Sequence, residues 1–193
     1  MTEQEFTLDP SNTFACVVVR NDDSKLLSKL GHDHVIRASD FSSTISLDLD
    51  DPGNWKFALE FPTAAMVVDE DDDRRRVNLD GTVSDRDRRA TADNMRARNQ
   101  LHAKKHKDIR FEVDGARSDS EDRWILNATL WVRGHRCDFE FPVALSFDST
   151  LRVEGRAELT HRDLGMKPYK APMGALRNRE ELLFIVDIEA TPL

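Results

Sequence analysis

Apolar and polar residues alternate with a period of two along most of the C-terminal half of the chain. Residues 137–147 and 151–161 show it most clearly, with apolar positions at Phe139, Phe141, Val143, Leu145, Phe147, Leu151, Val153, Ala157 and Leu159. Successive side chains of a strand point to opposite faces, so these strands have one apolar and one polar face. The pattern is typical of antiparallel sheets with one face in water, whereas strands of parallel sheets are continuous apolar runs.

The same periodicity predicts further strands and a sheet that curves. Strands are predicted at residues 35–49, 55–61, 64–68, 109–113, 124–132 and 182–190, with turns at residues 50–54 and 133–136. So many half-apolar strands must either curl around a shared interior or pack as two sheets. About eight strands close a barrel just wide enough for one ligand. We therefore predict an all-β fold with one helix, an antiparallel eight-stranded barrel that residues 1–193 form as a single domain.

Two stretches depart from this pattern. Residues 14–19 are apolar at nearly every position, so the sequence does not show which of their faces points inward. Residues 84–106 form the one long helical candidate, in which Ser84 can cap the N-terminus and Asp87 favours the helix dipole. The apolar stripe of this helix is thin. Such a helix is expected to lie over a surface or a barrel mouth rather than to fill a core.

Three other segments are predicted to lie outside the strands. Residues 24–30 are weakly helical, and the charged block at residues 69–76 is interpreted as a solvated loop. A loop of roughly twenty residues, 162–181, separates the last two strands. Loops of this length within a compact domain are usually functional or act as lids.

Composition and charge narrow the function classes. The chain has a formal net charge of −8, which argues against a nucleic-acid partner bound over the whole surface. Its two cysteines are too few for a disulfide framework or a structural zinc site. One bridge between them is geometrically possible, but buried free thiols are expected. The N-terminus lacks the basic and apolar regions of a signal peptide, and no apolar run reaches transmembrane length. We expect a cytoplasmic protein without stable membrane insertion.

The six histidines are the side chains with the greatest potential for chemistry. His32 and His34 flank Asp33, and His102 and His106 are spaced to share one face of the predicted helix. Zinc and iron sites need three or more ligands and an open position, whereas each group supplies a pair. We therefore predict no metal site and no catalytic residue, with convergence of the two pairs as the alternative. The glycines are too far apart for a nucleotide-binding loop, and no cofactor is predicted.

Two further features concern a ligand. His161 shares the inward phase of Val153 and Leu159, so it is either a hydrogen-bonded core histidine or a polar anchor for the head of a ligand. Residues 86–107 are rich in arginine and lysine and form a local positive surface, which attracts phosphate or an anionic membrane. The simpler interpretation of these bases is that they balance the acidic remainder of the surface.

Five motifs, in this order, resemble the YceI-like family, a lipocalin-like group of polyisoprenoid-binding barrels. They are FTLDPSN at residues 6–12, GHDHV at 31–35 followed by FSSTI at 41–45, LHAKKHKDIRF at 101–111, TLWVRGHR at 129–136, and LTHRDLGM at 159–166. The last two are the most specific because residue types and separation agree together. Lys107 and Asp108 replace the aromatic–proline pair that is usual in the family.

The resemblance implies a bacterial, lipocalin-like, eight-stranded antiparallel barrel that holds an isoprenoid or similar chain. The function expected from it is noncatalytic binding or carriage of an isoprenoid or other amphipathic molecule. The alternatives are a metal-dependent enzyme that uses histidines on the same scaffold and a barrel packed solid with side chains. Expected partners are the small molecule itself, a membrane in transient contact at most, and a second copy of the chain in a homodimer. The ligand-binding residues predicted from the inward phase are Phe57, Leu59, Phe139, Phe141, Val143, Val153, His161, Phe184 and Val186.

Overall fold

The predicted strands form one antiparallel sheet in the computed structural model, which describes residues 3–24, 31–48, 50–171 and 176–193. Two helices, α1 (Asp71–Arg76) and α2 (Asp85–Arg96), lie between the sixth and seventh strands. Within the described residues the sheet has eleven strands: β1 Glu3–Leu8, β2 Phe14–Asn21, β3 His34–Ala38, β4 Ser42–Asp48, β5 Lys56–Pro62, β6 Met66–Val68, β7 Asp108–Ser120, β8 Arg123–Val132, β9 His135–Phe147, β10 Leu151–Thr160 and β11 Asn178–Pro192.

Eight of these strands close into a barrel, as predicted. The ring runs β1-β4-β5-β7-β8-β9-β10-β11 and returns to β1, which pairs with β11 through Leu8 and Ala190. The remaining strands β2, β3 and β6 continue the sheet from the same edge of β11, where Phe184 pairs with Val17. The all-β class with one main helix and an eight-stranded antiparallel barrel is therefore confirmed.

The barrel is interrupted at one end, between β6 and β7. Pairing of β5 with β7 ends at Pro62 and Asp108, and the next amide, Thr63 N–H, bonds to the Lys107 carbonyl at 2.6 Å. Beyond this point β6 turns away and pairs with β3. Helix α2 packs against β6 and covers the gap, so the helix lies over one end of the barrel as its thin apolar stripe indicated.

Strand β2 is buried on both faces, which explains its missing alternation. Val17 and Val19 face the barrel interior, whereas Phe14, Cys16 and Val18 face outward. Val35 of β3, together with Leu183 and Ile185 of β11, packs beside these outward side chains in the same sheet. Val77 and Leu79, which follow α1, also pack on them. A strand with two dry faces is a continuous apolar run in the sequence.

Helix α2 begins as predicted but ends earlier. The Ser84 hydroxyl accepts the Asp87 N–H, which confirms the N-cap. The helix ends at Arg96 instead of continuing to residue 106, and the chain proceeds through tight turns in which His102 has a φ of 51°. Ala97 is already extended, with a ψ of 162°, so the helix stops there and the prediction of a helix through residue 106 is wrong. The four-residue spacing of His102 and His106 therefore lies in these turns and not in a helix.

The charged block at residues 69–76 is not a solvated loop. It contains α1, and Asp69, Asp73 and Arg74 are all buried. Asp73 bonds to Arg37 of β3 at 2.8 Å, and Asp69 and Arg74 bond to each other. The prediction of a solvated loop was wrong because the sequence shows the charges of this block but not the pairs that they form in the fold.

Two other predicted segments lie partly outside the residues that the structure describes. The weakly helical stretch predicted at residues 24–30 lies almost wholly outside the described residues. The predicted loop at residues 162–181 is shorter, because β11 already begins at Asn178, and residues 172–175 are likewise outside the description. The described part of this loop, residues 161–171, returns across the same end of the barrel as α2.

Candidate functional site

A cavity of about 260 Å³ occupies the barrel interior. A dry apolar cavity of about 150 Å³ is enough to bind benzene, so this one is large enough for part of an apolar chain. Its walls are mostly aliphatic and aromatic. Strands β2, β3, β5, β7, β8, β9, β10 and β11 all contribute, and representative lining residues are Val17, Ile36, Leu59, Phe111, Leu130, Phe139, Phe141, Val153 and Phe184.

Eight of the nine ligand-binding residues predicted from the sequence line this cavity. They are Phe57, Leu59, Phe139, Phe141, Val153, His161, Phe184 and Val186. The inward phase of the alternating strands brings them together because each strand presents every second side chain to the interior. Their role in binding stays a prediction, since the structure holds no ligand.

Val143 differs from this prediction, because it does not line the central cavity. A Cβ atom on Gly155 of the neighbouring strand would lie 2.7 Å from Val143 Cγ1 and 3.2 Å from Phe141 Cζ. The valine therefore fills the space that a side chain at position 155 would take. Val143 is 4% exposed and belongs to the main core cluster, and it lines a separate cleft with Trp124 and Gly155 instead of the central cavity.

Many lining residues could not be predicted from the sequence because they lie outside clean alternation. Val17 and Ile36 belong to the strands with covered outer faces, and Met95 and Leu101 come from α2 and the turns after it. Leu164, Met166 and Tyr169 come from the loop after β10. The alternation in β7 and β8 does contain a usable signal for Phe111 and Leu130, which share the inward phase.

One end of the barrel is closed by packed aromatic residues. The rings of Trp55 and Trp124 lie 4.7 Å apart, and Phe6 contacts Phe147 edge to face at 5.5 Å. The Trp55 indole N–H donates to the Asp48 carbonyl at 2.8 Å, which satisfies its polar atom inside the core. None of these side chains lines the cavity.

The opposite end is the mouth of the cavity. Asn94 is an exposed residue of α2 that also lines the cavity, so the cavity reaches solvent beside this helix. The turns after α2 are joined to the loop after β10 by a hydrogen bond from Gln100 Nε2 to the Lys167 carbonyl at 3.2 Å. The two segments together cover the interrupted end without filling it.

His161 is a buried polar group in the wall near the mouth. It is 4% exposed, and its Nδ1 lies 3.0 Å from the Glu180 carbonyl. A carbonyl only accepts, so Nδ1 carries the proton. Burial lowers the pKa of His161 below its usual value, so the ring is neutral at pH 7. Within the described residues no hydrogen bond reaches Nε2, which is left as an acceptor.

His34 is the second imidazole of the lining, and a buried ion pair holds it. Asp69 is completely buried and accepts from the Val35 N–H at 2.9 Å and from Arg74 Nη1 at 3.0 Å. Its other oxygen lies 2.6 Å from His34 Nδ1. Burial acts to raise the pKa of Asp69, but the hydrogen bonds from these partners outweigh it and lower the pKa overall. An ionised carboxylate only accepts, so Nδ1 of His34 is the donor.

Arg74 completes this network from behind the sheet. Besides Asp69, its guanidinium donates to three backbone carbonyls at 2.7–3.0 Å, those of Asp33, Asp80 and Gly81. These bonds tie the turn before β3 to the segment after α1. The network therefore fixes His34 and the rim of the mouth without placing a side chain in the cavity.

The other histidines and the cysteines lie apart from this network. The rings of His102 and His106 meet edge to face at 5.8 Å in the turns after α2. Among the described residues, no three His, Cys, Asp or Glu side chains come together in an arrangement that fits a metal ion. Cys16 and Cys137 are buried free thiols, as predicted, and burial raises the pKa of Cys16 to about 12.

Comparison with known proteins identifies the family. A family model for the YceI-like domain matches residues 6–189. The chain belongs to the YceI-like family. The resemblance inferred from the five motifs is therefore confirmed. Among curated proteins, no sequence matches this YceI-like chain.

Solved structures show the same fold at low sequence identity. BcnA of Burkholderia cenocepacia superposes with a TM-score of 0.70 over 96% of this chain and 100% of that protein, at 10% identity. A polyisoprenoid binding domain from Saccharophagus degradans, implicated in plant cell wall breakdown, gives 0.64 over the whole of both chains, also at 10% identity. The YCEI protein of Campylobacter jejuni gives 0.59 over 81% of this chain and 83% of that protein, at 11% identity.

The helices bear on the question of membrane insertion. Neither α1 nor α2, nor any other helix in the described ranges, has the length and apolar character needed to cross a bilayer.

Proposed function

We propose that this YceI-like protein binds and carries an isoprenoid or other amphipathic molecule, with the apolar chain inside the barrel and without catalysis. The observation that carries the proposal is the unfilled cavity of about 260 Å³ with aliphatic and aromatic walls. A barrel packed solid with side chains would have no such space. Membership of the family and the fold shared with a polyisoprenoid binding domain support the same ligand class.

The polar atoms at the mouth suggest how the ligand is oriented. The neutral ring of His161 leaves Nε2 as an acceptor in a mostly apolar wall, whose other polar side chains include His34, Asn94 and Gln100. A ligand head that donates a hydrogen bond to this Nε2 lies at the mouth, with its chain pointing toward the closed end.

Several broader features belong to the same proposal. The whole chain, residues 1–193, acts as one domain in the bacterial cytoplasm. It contacts membranes only transiently while it exchanges its ligand, and it works as a monomer or homodimer. Sedimentation velocity distinguishes the two assembly states, and cell fractionation tests the location.

Titration with a fluorescent probe that bears an isoprenoid chain tests the proposal. The wild type is expected to bind the probe with saturation, and unlabelled isoprenoid alcohols are expected to displace it. Val17→Trp places an indole in the cavity wall and is expected to abolish uptake. Ala144→Trp, on the exposed face of β9, is the matched control and should bind as the wild type does.

No saturable binding by folded wild-type protein would contradict the proposal. Equal binding by Val17→Trp and the wild type would also contradict it, because the probe would then be bound outside the barrel.

A further inference from the structure

Three segments at the mouth carry positive charge without any acidic residue. Residues 94–107, 131–137 and 164–171 together contain nine lysines and arginines, three histidines and no aspartate or glutamate. The bases of this surface, which we call the basic collar, are Arg96, Arg98, Lys104, Lys105, Lys107, Arg133, Arg136, Lys167 and Lys170. The chain as a whole has a net charge of −8, so the collar is a local reversal of sign.

The three segments are distant in sequence but contiguous in the fold. Gln100 bonds to the Lys167 carbonyl, and an Arg133 guanidinium nitrogen lies 3.5 Å from the Arg98 carbonyl. The ring of His106 lies beside Gly134, and the ring of His135 lies beside Gly165. These contacts join the segments into one surface.

The basic collar borders the cavity mouth because each segment has one side in the cavity wall. Leu101, Val132 and Met166 line the cavity from the first, second and third segment respectively. Seven of the nine bases are exposed to solvent, and the other two are half-buried. Positive charge therefore flanks the place where an apolar chain enters or leaves, whereas His34 and the buried Asp69 form another part of the rim.

Most of this charge is not neutralised within the protein. Arg136 pairs with Asp138 at 2.8 Å, but in the described part of the chain the other eight bases form no ion pair. Aspartates adjoin each segment in the sequence, namely Asp93, Asp108, Asp138 and Asp163, and the Asp163 carboxylate accepts from the Thr160 hydroxyl and N–H. Arg96 and Arg133 are half-buried and donate to backbone carbonyls, so the bases available to an external anionic partner are Arg98 and the five exposed lysines.

We propose that the basic collar docks the cavity mouth onto a bilayer that bears anionic lipid headgroups. The proposal rests on the proposed function, because it supplies the route by which an apolar chain passes between bilayer and cavity without crossing water. Anionic leaflets attract clusters of lysine and arginine, and the attraction weakens with salt. The acidic remainder of the protein is repelled by the same surface, so the mouth is the side that approaches. A nucleic acid would use the charge but not the cavity.

Co-sedimentation with vesicles tests the docking. Wild-type protein is mixed with vesicles of phosphatidylcholine alone and with vesicles that also contain phosphatidylglycerol, at low and at high salt. Lys104→Glu/Lys105→Glu reverses two exposed collar charges. Lys56→Glu/Arg123→Glu reverses two exposed charges beside Trp55 and Trp124, at the opposite end, and gives the same net charge.

The expected result is salt-sensitive binding to the anionic vesicles only. The collar variant should lose about tenfold or more in partitioning, as reversal of two charges near an anionic surface implies, and the opposite-end variant should lose much less. Equal losses in both variants would show that net charge alone matters and would overturn the proposal. Binding that ignores lipid charge would overturn it too, as would collar-dependent binding of a short oligonucleotide without vesicle binding.

The isoprenoid-probe titration without vesicles separates this proposal from the proposed function. Both variants should take up the probe as the wild type does, because none of the four side chains lines the cavity. Failure of the wild type to take up the probe counts against the cavity function. Failure of vesicle docking with normal probe uptake counts against the basic collar alone.

Discussion

The two ends of the barrel are held by different kinds of interaction. At the closed end the buried rings of Trp55 and Phe6 fill the interior, where Trp55 packs at a tilt against Trp124 and Phe6 contacts the more exposed Phe147. At the mouth, the completely buried Asp69 links β3, the residues before α1 and Arg74 through hydrogen bonds. The first arrangement removes space from the barrel, whereas the second stabilises the rim from outside the cavity.

This difference shows how one sheet is stable yet hollow at one end. Burial of large apolar side chains supplies most of the favourable free energy of folding, and the closed end contains many of them. A cavity sacrifices packing around its walls. At the mouth, charge-assisted hydrogen bonds to backbone groups fix the strands instead, so the wall side chains need not meet in the middle.

The largest expected effect on the free energy of unfolding comes from removing a buried aromatic side chain at the closed end. Trp55→Ala should lower the free energy of unfolding by about 3–5 kcal/mol, because it removes a buried indole that stacks on Trp124. Urea denaturation measures the change. Trp131→Ala is the control, since this indole lies half-buried on the outer face beside Glu112, and it should cost far less. Equal costs would show that the closed end is not the anchor of the fold.

Removing the charge at the mouth should have a comparable effect by another mechanism. Asp69→Asn keeps the shape and tolerates the left-handed backbone at this position, where φ is 53°. It leaves Arg74 buried without its anion, which typically costs about 3–5 kcal/mol. Asp73→Asn, whose Arg37 partner is partly exposed, should cost less in the same urea titrations. A negligible cost for Asp69→Asn would contradict the role assigned to the network.

The comparison is sharpened by placing the same large side chain at each end. Val143→Trp should lower stability by about 1–3 kcal/mol, because the site over Gly155 is already filled. Val17→Trp, which introduces its indole into the cavity, should change the melting temperature of ligand-free protein little. Differential scanning calorimetry of both variants checks this. Strong destabilisation by Val17→Trp would indicate a full barrel.

The smallest expected effect is on the pH dependence of stability. Burial lowers the pKa of His161 in the folded protein, so the unfolded chain binds the proton first as the pH falls below about 6.5. Stability from this group is therefore complete above that pH and declines below it. His161→Gln should give a shallower decline between about pH 7 and pH 5 in urea titrations. His32→Gln, at an exposed side chain, should change the slope less, and an unchanged slope for His161→Gln would refute the assignment.

How far the sequence predicts this molecule depends on whether each element has a wet face. Strands β8, β9 and β10 have one, and their predicted limits agree with the structure to within two residues. The outer face of β11 is partly covered, because Leu183 and Ile185 pack with the outward residues of β2. Strand β2 has none, because α1 and the residues after it cover its outer face, so its orientation was not predictable. Eight of nine predicted lining residues follow from alternation alone.

The mouth was the least predictable region. The ion pair of Asp69 with Arg74 depends on a fold that brings a charge run against a sheet, and local composition contains no sign of it. Helix α2 ends where Ala97 becomes extended, with a ψ of 162°, and alanine is a residue whose helix propensity gives no sign of a helix end. Val143 was assigned to the cavity because alternation gives the face of a strand but not the depth along it.

Mass spectrometry of organic extracts from natively purified protein tests the central claim most directly. Wild-type protein is expected to release a molecule with a long apolar chain in near-stoichiometric amount. The same extraction from folded Val17→Trp should release little of it, and Ala144→Trp should match the wild type. Absence of any such molecule from folded wild type, together with no uptake of the isoprenoid probe, would contradict the claim that the cavity holds an apolar chain.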